Sequence, residues 1–378
     1  MKLFFPIFTS FLLLLLIGCS DEPNAVGIGL LSPDDSLSLN TVGLTATTSS
    51  TYLARIAGVS ARQLFGKSSD IETRAIIQFA GIPYGLSSFT IDTAVLRVAI
   101  TYRYKDSSGT LGLDVKRLLR SWSKDSIRWD STNVPSFVNA SNDTSFTRAI
   151  TPSDSIIEFP IAPVLRTWMQ DSLASPYGMI LIPNGASNII IGCSTVYDIF
   201  FDGRPQLYLV YHTATDTIRA TYRPFQQIFL AETPLVTTPD TLMVVQAGVS
   251  HRGRLQFDLS GIPNRASITQ ASLVLTLDST QSLRNSYSTN TIVAHIASGI
   301  DSLSSLTASA TLTGDSQKTA TLDVRPLVQQ IVSRRPYYNF VIRSSSEFIA
   351  VDRYAFYSAT SSDSTRMPRL NITYTILP

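Results

Sequence analysis

The sequence predicts an all-β protein built from two tandem antiparallel β-sandwich domains of the jelly-roll type. The first observation is period-two alternation rich in β-branched and aromatic residues, which is typical of half-buried strands. Residues 92–100 place Leu96, Val98 and Ile100 on one face, and residues 206–211 repeat the pattern. Glycine and proline punctuation is frequent, as short strands require. The strongest helical segment is residues 162–173, which is long enough for only two or three turns.

The second observation is internal self-similarity. Five segments return later in the chain in the same order, with small changes in spacing. The matched pairs are residues 57–60 with 247–250, 78–83 with 256–263, 91–98 with 268–275, 159–164 with 322–327, and 204–209 with 367–372. Such repetition indicates a duplicated domain. We therefore expect a first β-sandwich at residues 41–213 and a diverged copy at residues 214–378. Each copy is long enough to bury a core between two packed sheets.

The N-terminal segment has the pattern of an export signal. An apolar stretch over residues 3–17 follows Lys2 and is shorter than the roughly 20 residues that a membrane-spanning helix needs. A charged start, an apolar middle and a small-residue end are typical of a secretory signal. Residues 16–19, Leu-Ile-Gly-Cys, resemble a bacterial lipobox, which implies cleavage before Cys19 and acylation of its thiol. The alternative is an ordinary signal peptide that happens to contain a cysteine.

This reading gives a lipoprotein signal peptide at residues 1–18 and a flexible tether at residues 19–40. Two acyl chains on Cys19 suffice for stable attachment to a membrane. Ser20 after the cysteine favours the outer membrane by resemblance to enterobacterial sorting. Residues 21–22, Asp-Glu, resemble the surface-export signal of Bacteroidota lipoproteins, although a solvated acidic tether looks the same. We expect an outer-membrane lipoprotein of the cell envelope, with the periplasmic and surface-exposed faces both open.

Composition argues against nucleic acid as a partner. The chain has 30 Lys and Arg against 28 Asp and Glu, and no basic cluster of the kind that nucleic-acid binders carry. The chain has 2 cysteines, so acylation of Cys19 leaves Cys193 without a disulfide partner. Cys193 lies in an apolar run, and we expect a buried, inert thiol.

Catalytic patterns are absent from the sequence. His212, His251 and His295 stand apart from one another, and no metal-ligand spacing or nucleophile motif accompanies them. A glycoside hydrolase needs two carboxylates at a set separation, and the scattered acidic residues of the chain do not predict such a pair. We expect a non-enzymatic protein without a cofactor or a metal site. An enzyme acting on glycans is the least favoured alternative.

Five motifs in the first copy carry a family resemblance. They are an arginine-led apolar stretch ending in Ile-Pro, an alternating strand, a paired-tryptophan element, a tryptophan and glycine before an apolar strand, and a closing Pro-x-Leu strand. They lie at residues 74–83, 94–98, 122–129, 168–182 and 205–211. In this order they resemble the DNRLRE domain, a β-sandwich of bacterial exported proteins that is also classed as a carbohydrate-binding module. The second copy lacks every tryptophan. Residues 24–31 resemble the start of an uncharacterised family of Bacteroidota lipoproteins.

The resemblance implies binding of a polysaccharide or glycan, in which aromatic rings stack on sugar faces. Trp122 and Trp129 are candidates, although both could instead be core or strap residues that close the sandwich. Tyr102, Arg103 and Tyr104 are candidates for a surface platform, with the two tyrosines on one side and Arg103 opposite. A plain solvent-facing edge of the sandwich is the alternative there. The expected function is glycan binding by a lipid-anchored envelope protein. The alternative is a structural or adhesion spacer that docks with another envelope protein.

Overall fold

The structure is a computed structural model, and it describes residues 39–54, 60–171, 176–198, 203–233, 239–285, 288–299, 302–313, 318–334 and 339–376. The expected signal peptide, Cys19 and nearly all of the tether lie outside these residues. Among the described residues, neither helix is long and apolar enough to cross a bilayer.

The described chain is predominantly β-strand, which confirms the predicted fold class. The strands of residues 39–160 are Leu39–Thr45 (β1), Thr48–Leu53 (β2), Arg62–Lys67 (β3), Glu72–Phe79 (β4), Thr90–Ala99 (β5), Tyr102–Arg103 (β6), Gly109–Arg117 (β7), Thr144–Ile150 (β8) and Ile156–Pro160 (β9). Helix α1 is Ala162–Gln170. It is followed by Met179–Pro183 (β10), Ile190–Ser194 (β11), Gln206–His212 (β12), Thr217–Tyr222 (β13) and Pro224–Glu232 (β14).

The remaining elements repeat much of this order. They are Leu242–Gln246 (β15), His251–Gln256 (β16), Ala266–Thr276 (β17), Thr291–Ala297 (β18), Ala308–Thr311 (β19), Thr319–Asp323 (β20), helix α2 at Arg325–Arg334, Asn339–Ser344 (β21), Arg353–Tyr357 (β22) and Arg369–Ile376 (β23). The resolved pairings between these strands are antiparallel.

The strands form two pairs of sheets, each pair enclosing one apolar core. In the first sheet pair, an eight-stranded sheet (β6-β11-β3-β4-β10-β7-β8, with β14 on β4) faces a four-stranded sheet (β13-β12-β5-β9). In the second sheet pair, a seven-stranded sheet (β19-β18-β21-β16-β15-β22, with β2 on β16) faces a four-stranded sheet (β1-β23-β17-β20). Each core draws side chains from both of its sheets, which gives the protein its β-sandwich character.

Local sequence explains the elements that the alternation predicted. In β5, Leu96 and Val98 are fully buried, while the intervening Arg97 is exposed. Helix α1 lies within the segment that periodicity marked, with Val164, Leu165 and Trp168 turned into the first core. A proline in its first turn is compatible with the helix because the first N–H groups need no partner within it. Helix α2 occupies the matching place after β20.

Four of the five sequence matches fall on corresponding elements of the two sheet pairs. The segments around 91–98 and 268–275 lie in β5 and β17, and those at 204–209 and 367–372 lead into β12 and β23. The fifth match, of residues 57–60 with 247–250, lies largely outside the described residues, which omit 57–59. Ser60 precedes β3, whereas residues 247–250 join β15 to β16.

Strand pairing differs from the predicted boundary at residue 213. Strands β1 and β2 fall within residues 39–53, yet β1 pairs with β23 and β2 pairs with β16. Conversely, β13 pairs with β12 and β14 pairs with β4. The ranges 41–213 and 214–378 therefore do not coincide with the two sheet pairs. Alternation identifies a strand and its buried face, but it carries no information about which distant strand lies beside it.

A third apolar cluster joins the two sheet pairs. It contains Leu64, Tyr102, Tyr104 and Ile190 of the first pair and Ala247, Ala350 and Val351 of the second, together with Ile71 and Phe229. Because these side chains are buried against each other, the two sheet pairs share a packed contact.

Candidate functional site

The structure buries the residues that were expected to form a surface platform. Tyr102, Arg103 and Tyr104 are 1%, 6% and 2% exposed. Both tyrosines lie in the cluster between the sheet pairs, where they pack near Ala350 and Val351. The prediction of an exposed aromatic platform at these three residues is therefore wrong, although the two tyrosines do share one side.

Hydrogen bonds explain why a polar-looking segment is inside. The Arg103 guanidinium donates to the carbonyl oxygens of Ser107 and Thr151 at 2.7 and 3.0 Å, and to that of Asp154 at 2.6 Å. The Arg103 carbonyl accepts from Asn285 Nδ2 at 2.8 Å, which is a bond between the sheet pairs. A buried guanidinium is tolerated because its donors are satisfied. These residues hold the structure together and present no face to a ligand.

Trp122 acts as a strap on the outer side of the eight-stranded sheet. Its ring is half-buried against a small cluster that includes Leu118, Phe137 and Ile180. Its indole Nε1 donates to the carbonyl oxygen of Tyr177 at 2.9 Å. These contacts agree with the strap reading of this tryptophan, since ring and N–H are both engaged by the protein.

Trp129 occupies a different setting, next to open space. It immediately precedes a single 3-10 turn at Asp130–Asn133 and is half-buried. The Arg74 guanidinium lies 4.0 Å from the ring centroid, a cation–π contact on one face of the indole. Arg74 is itself fixed by Glu72 at 2.9 Å and by Asn133 Oδ1 at 2.8 Å. The orientation of the Trp129 ring is therefore set by a charged support behind it.

A cleft of about 290 Å³ lies between the two sheet pairs and is bordered by the Trp129 ring. Strand β14 forms one wall with residues 228–232. The other wall comes from the end of β2, from residues 248–250 and from Phe348. The cleft thus has aromatic residues from both sides of the boundary, Trp129 and Phe229 on one and Phe348 on the other, and neither sheet pair forms it alone.

Charged groups of both signs surround this cleft. Desolvation raises the pKa of the Glu232 carboxyl, and the nearby Arg74 guanidinium opposes that shift. A hydrogen bond from Trp129 also favours the charged form of Glu232. Lys124 and Arg128 provide positive charge at the rim, with Lys124 Nζ 3.1 Å from Asp125. The rim therefore offers carboxylate acceptors and cationic donors in balanced number.

The floor of the cleft contains a buried ion pair. Glu347 is 1% exposed, and both its oxygens accept from Arg252 at 2.9 Å. Arg343 Nη1 lies 4.0 Å from the same carboxylate. Because both of its oxygens accept hydrogen bonds from Arg252, Glu347 has a structural role in the packing of this floor.

The histidines and the cysteine have separate local roles. His212 contacts Asp92 at 3.1 Å on the surface, and His295 contacts the Ser304 carbonyl at 3.0 Å. Desolvation lowers the pKa of His251. Burial raises the pKa of the Cys193 thiol, which is fully enclosed, so the thiolate is disfavoured. In the part of the chain that the structure describes, no group of three or more His, Cys, Asp or Glu residues could hold a metal ion.

The paired-tryptophan motif predicts Trp129 as a site residue, but no motif marks the rest of the cleft. Phe348 and Glu232 carry no motif, and they reach Trp129 only through the pairing of β14 with β4 and the contact between the sheet pairs. Arg74 was visible as the start of the first motif, without any sign that it supports a tryptophan.

Comparison with known proteins provides little further guidance. No protein family and no curated protein matches the chain. The C-terminal domain of the Streptococcus pyogenes antigen I/II-family protein AspA aligns at 8% identity and a TM-score of 0.17, covering 88% of this chain and 91% of that one. The structure of infectious bursal disease virus Gx strain aligns at 10% identity and a TM-score of 0.13, covering 92% of this chain and 80% of that one. At these TM-scores neither likeness carries an argument about this protein.

Proposed function

We propose that this protein is a lipid-anchored, non-enzymatic protein of the bacterial cell envelope that binds a neutral glycan in the cleft beside Trp129. The observation that carries the proposal is the half-buried indole at the edge of an open cleft, supported from behind by Arg74. An aromatic ring held in this way presents a rigid apolar surface at low entropic cost.

The size and charge of the cleft suit a short stretch of sugar. Its volume of about 290 Å³ is near the lower limit of small-molecule sites, roughly 300 Å³. Glu232 and Asp130 can accept hydrogen bonds from sugar hydroxyls, and Lys124 and Arg128 can donate them. Because charges of both signs line the rim, a neutral glycan is favoured over a strongly acidic one.

The binding test compares Trp129→Ala with a matched exposed aromatic. Residues 20–378 are titrated with neutral and acidic polysaccharides by calorimetry. Loss of the stacked ring should weaken binding by about 1.5 kcal/mol, roughly tenfold. Tyr208→Ala removes a ring that is 40% exposed on β12 and that does not line the cleft, so it should leave affinity unchanged. Equal affinity of Trp129→Ala and the parent protein would exclude this cleft as the site.

The anchor is tested separately. Mass spectrometry of the mature N-terminal peptide should find Cys19 acylated, and Cys19→Ala should release the protein from membranes. Protease added to whole cells then distinguishes a surface-exposed from a periplasmic protein. If no polysaccharide is retained but cross-linking on cells captures one stoichiometric envelope protein, the docking spacer replaces glycan binding as the function.

A further inference from the structure

In each of the two repeats, the two strands at the N-terminal end join the sheet pair that the rest of the other repeat forms. Strands β1 and β2 precede the first sheet pair in sequence but pair with β23 and β16 of the second. Strands β13 and β14 precede the second sheet pair but pair with β12 and β4 of the first. The two exchanged segments occupy corresponding places, since β12 corresponds to β23 and β4 to β16.

Each exchanged segment contributes to the core that it joins. From β1, Val42 and Leu44 pack against the second core, and Ala46 just beyond it is buried there. From β13, Ile218 and Tyr222 pack against the first core. The alternate apolar residues of a strand are thus inserted between the sheets in both places. Removing either segment would expose apolar surface and leave a sheet edge unpaired.

Polar side chains secure the second strand of each segment. Thr51 Oγ1 on β2 accepts from the Val244 backbone N–H at 2.7 Å. On β14, Gln227 Nε2 donates to Gln63 Oε1 at 2.9 Å, and both side chains are almost fully buried. Gln63 Nε2 in turn donates to the Ile228 carbonyl at 2.9 Å. These bonds tie the second strand of each segment to the sheet that receives it.

The chain path shows which segment closes the molecule. Strand β13 follows β12 through a tight turn in which the Thr213 N–H donates to the Asp216 carbonyl at 2.9 Å. The corresponding place beside β23 is taken by β1, from the other end of the described chain, with Leu39 opposite Thr375. Residues 39–53, at the start of the first repeat, are therefore paired with strands of the second repeat.

We propose that residues 39–53 are a clasp and that the edges of β16 and β23 are its acceptor site. The partner that fits this site is a two-stranded segment with alternate apolar residues, which this chain supplies from its own N-terminal side. The clasp and the β13–β14 segment hold the two sheet pairs together by reciprocal exchange, so a break in the chain between them does not separate them.

The first experiment breaks the covalent link in the full chain. A protease recognition sequence is inserted in the exposed turn at residues 213–216, and the folded protein is cleaved and passed over a sizing column with mass detection. Each fragment then carries the segment that completes the other. The fragments are expected to elute together at the mass of the intact chain. Separation into two species in native buffer would overturn the proposal.

The second experiment weakens the clasp. In an antiparallel pair, only every other residue of a strand forms backbone hydrogen bonds with a given neighbouring strand. Ser50→Pro/Thr51→Pro therefore changes two adjacent residues of β2, so that one of the two replaces a residue bonded to β16. The urea midpoint at which the cleaved fragments separate should fall by about 1 M or more. Ser87→Pro/Ser88→Pro, in an exposed bend outside the strands, is the matched control and should leave the midpoint unchanged.

A milder variant decides the outcome if the double proline does not fold. Thr51→Val keeps the strand but removes the oxygen that accepts from Val244, and it should lower the same midpoint by a smaller amount. An unchanged midpoint in the clasp variants would contradict the role assigned to residues 39–53. Because glycan binding is measured on the uncleaved chain, failure of the clasp and failure of the proposed function are distinguishable.

Discussion

Asp352 is predicted to be a destabilising residue whose effect depends on pH. Its side chain is fully buried between the sheet pairs, and Oδ1 accepts from the Asn285 backbone N–H at 3.1 Å. Desolvation raises the pKa of Asp352 from 3.8 to about 6, although hydrogen bonds from Ser288 and Asn285 and the nearby Arg62 oppose the shift. A carboxylate this deeply buried is costly to keep charged.

The sign and size of the effect follow from linkage. Between about pH 4 and pH 6 the folded protein retains a proton on Asp352 that the unfolded chain has released. The free energy of unfolding therefore decreases as the pH rises through this window, and the loss is complete above pH 6. A pKa that rises from 3.8 to about 6 on folding corresponds to roughly 3 kcal/mol at neutral pH.

Asp352→Asn removes the charge and keeps an oxygen to accept from Asn285. Urea unfolding at pH 7.5 should show the variant more stable than the parent by up to about 3 kcal/mol. At pH 3.5, where the parent carboxyl is largely protonated in both states, the difference should nearly vanish. Asp106→Asn, at an exposed position, is the control. A difference that is the same at both pH values, or a variant less stable at pH 7.5, would refute the reasoning.

Two further predictions concern stability. Leu96→Ala, at a fully buried position in the first core, should lower the free energy of unfolding by about 2–5 kcal/mol. Ile156→Ala, at a position 49% exposed, should change it by less than about 0.5 kcal/mol. Equal melting temperatures of the two variants would contradict the assignment of Leu96 to the buried face of β5. Glu347→Gln should cost about 3 kcal/mol or more in chemical denaturation because it leaves the Arg252 guanidinium buried without its counter-charge. Arg252→Met/Glu347→Leu should recover much of that loss, and a double variant worse than Glu347→Gln would contradict this account.

The sequence predicts the local structure of this protein better than it predicts which strands lie side by side. Alternation located β5 and its buried Leu96, and short helical periodicity located α1, because both patterns depend on which side of an element faces a core. The partner of β1 could not be predicted from residues 39–45, because the strand it pairs with lies at the far end of the chain. Tyr102 and Tyr104 looked solvent-facing for the same reason, since Val351, which packs near them, comes about 250 positions later.

The candidate site was likewise predictable only where its residues lie in a local motif. The paired-tryptophan motif named Trp129, and the ring does border a cleft. The opposite wall, with Phe348, depends on the contact between the sheet pairs and leaves no local signal. Nothing in the pattern distinguished Trp122, whose N–H is bonded to the Tyr177 carbonyl, from Trp129.

The position of β1 has a mechanical consequence. If the N-terminal end is fixed to a membrane, tension between that membrane and a captured polymer enters the protein at Leu39, at the start of the ladder with β23. The load reaches β1 and β2 before it reaches the Trp129 cleft, whose wall includes Leu53 at the end of β2. The proposed attachment point and the proposed binding cleft would thus bear the same load one after the other, so the strength of the β1–β23 pairing would set the force that the attachment can withstand.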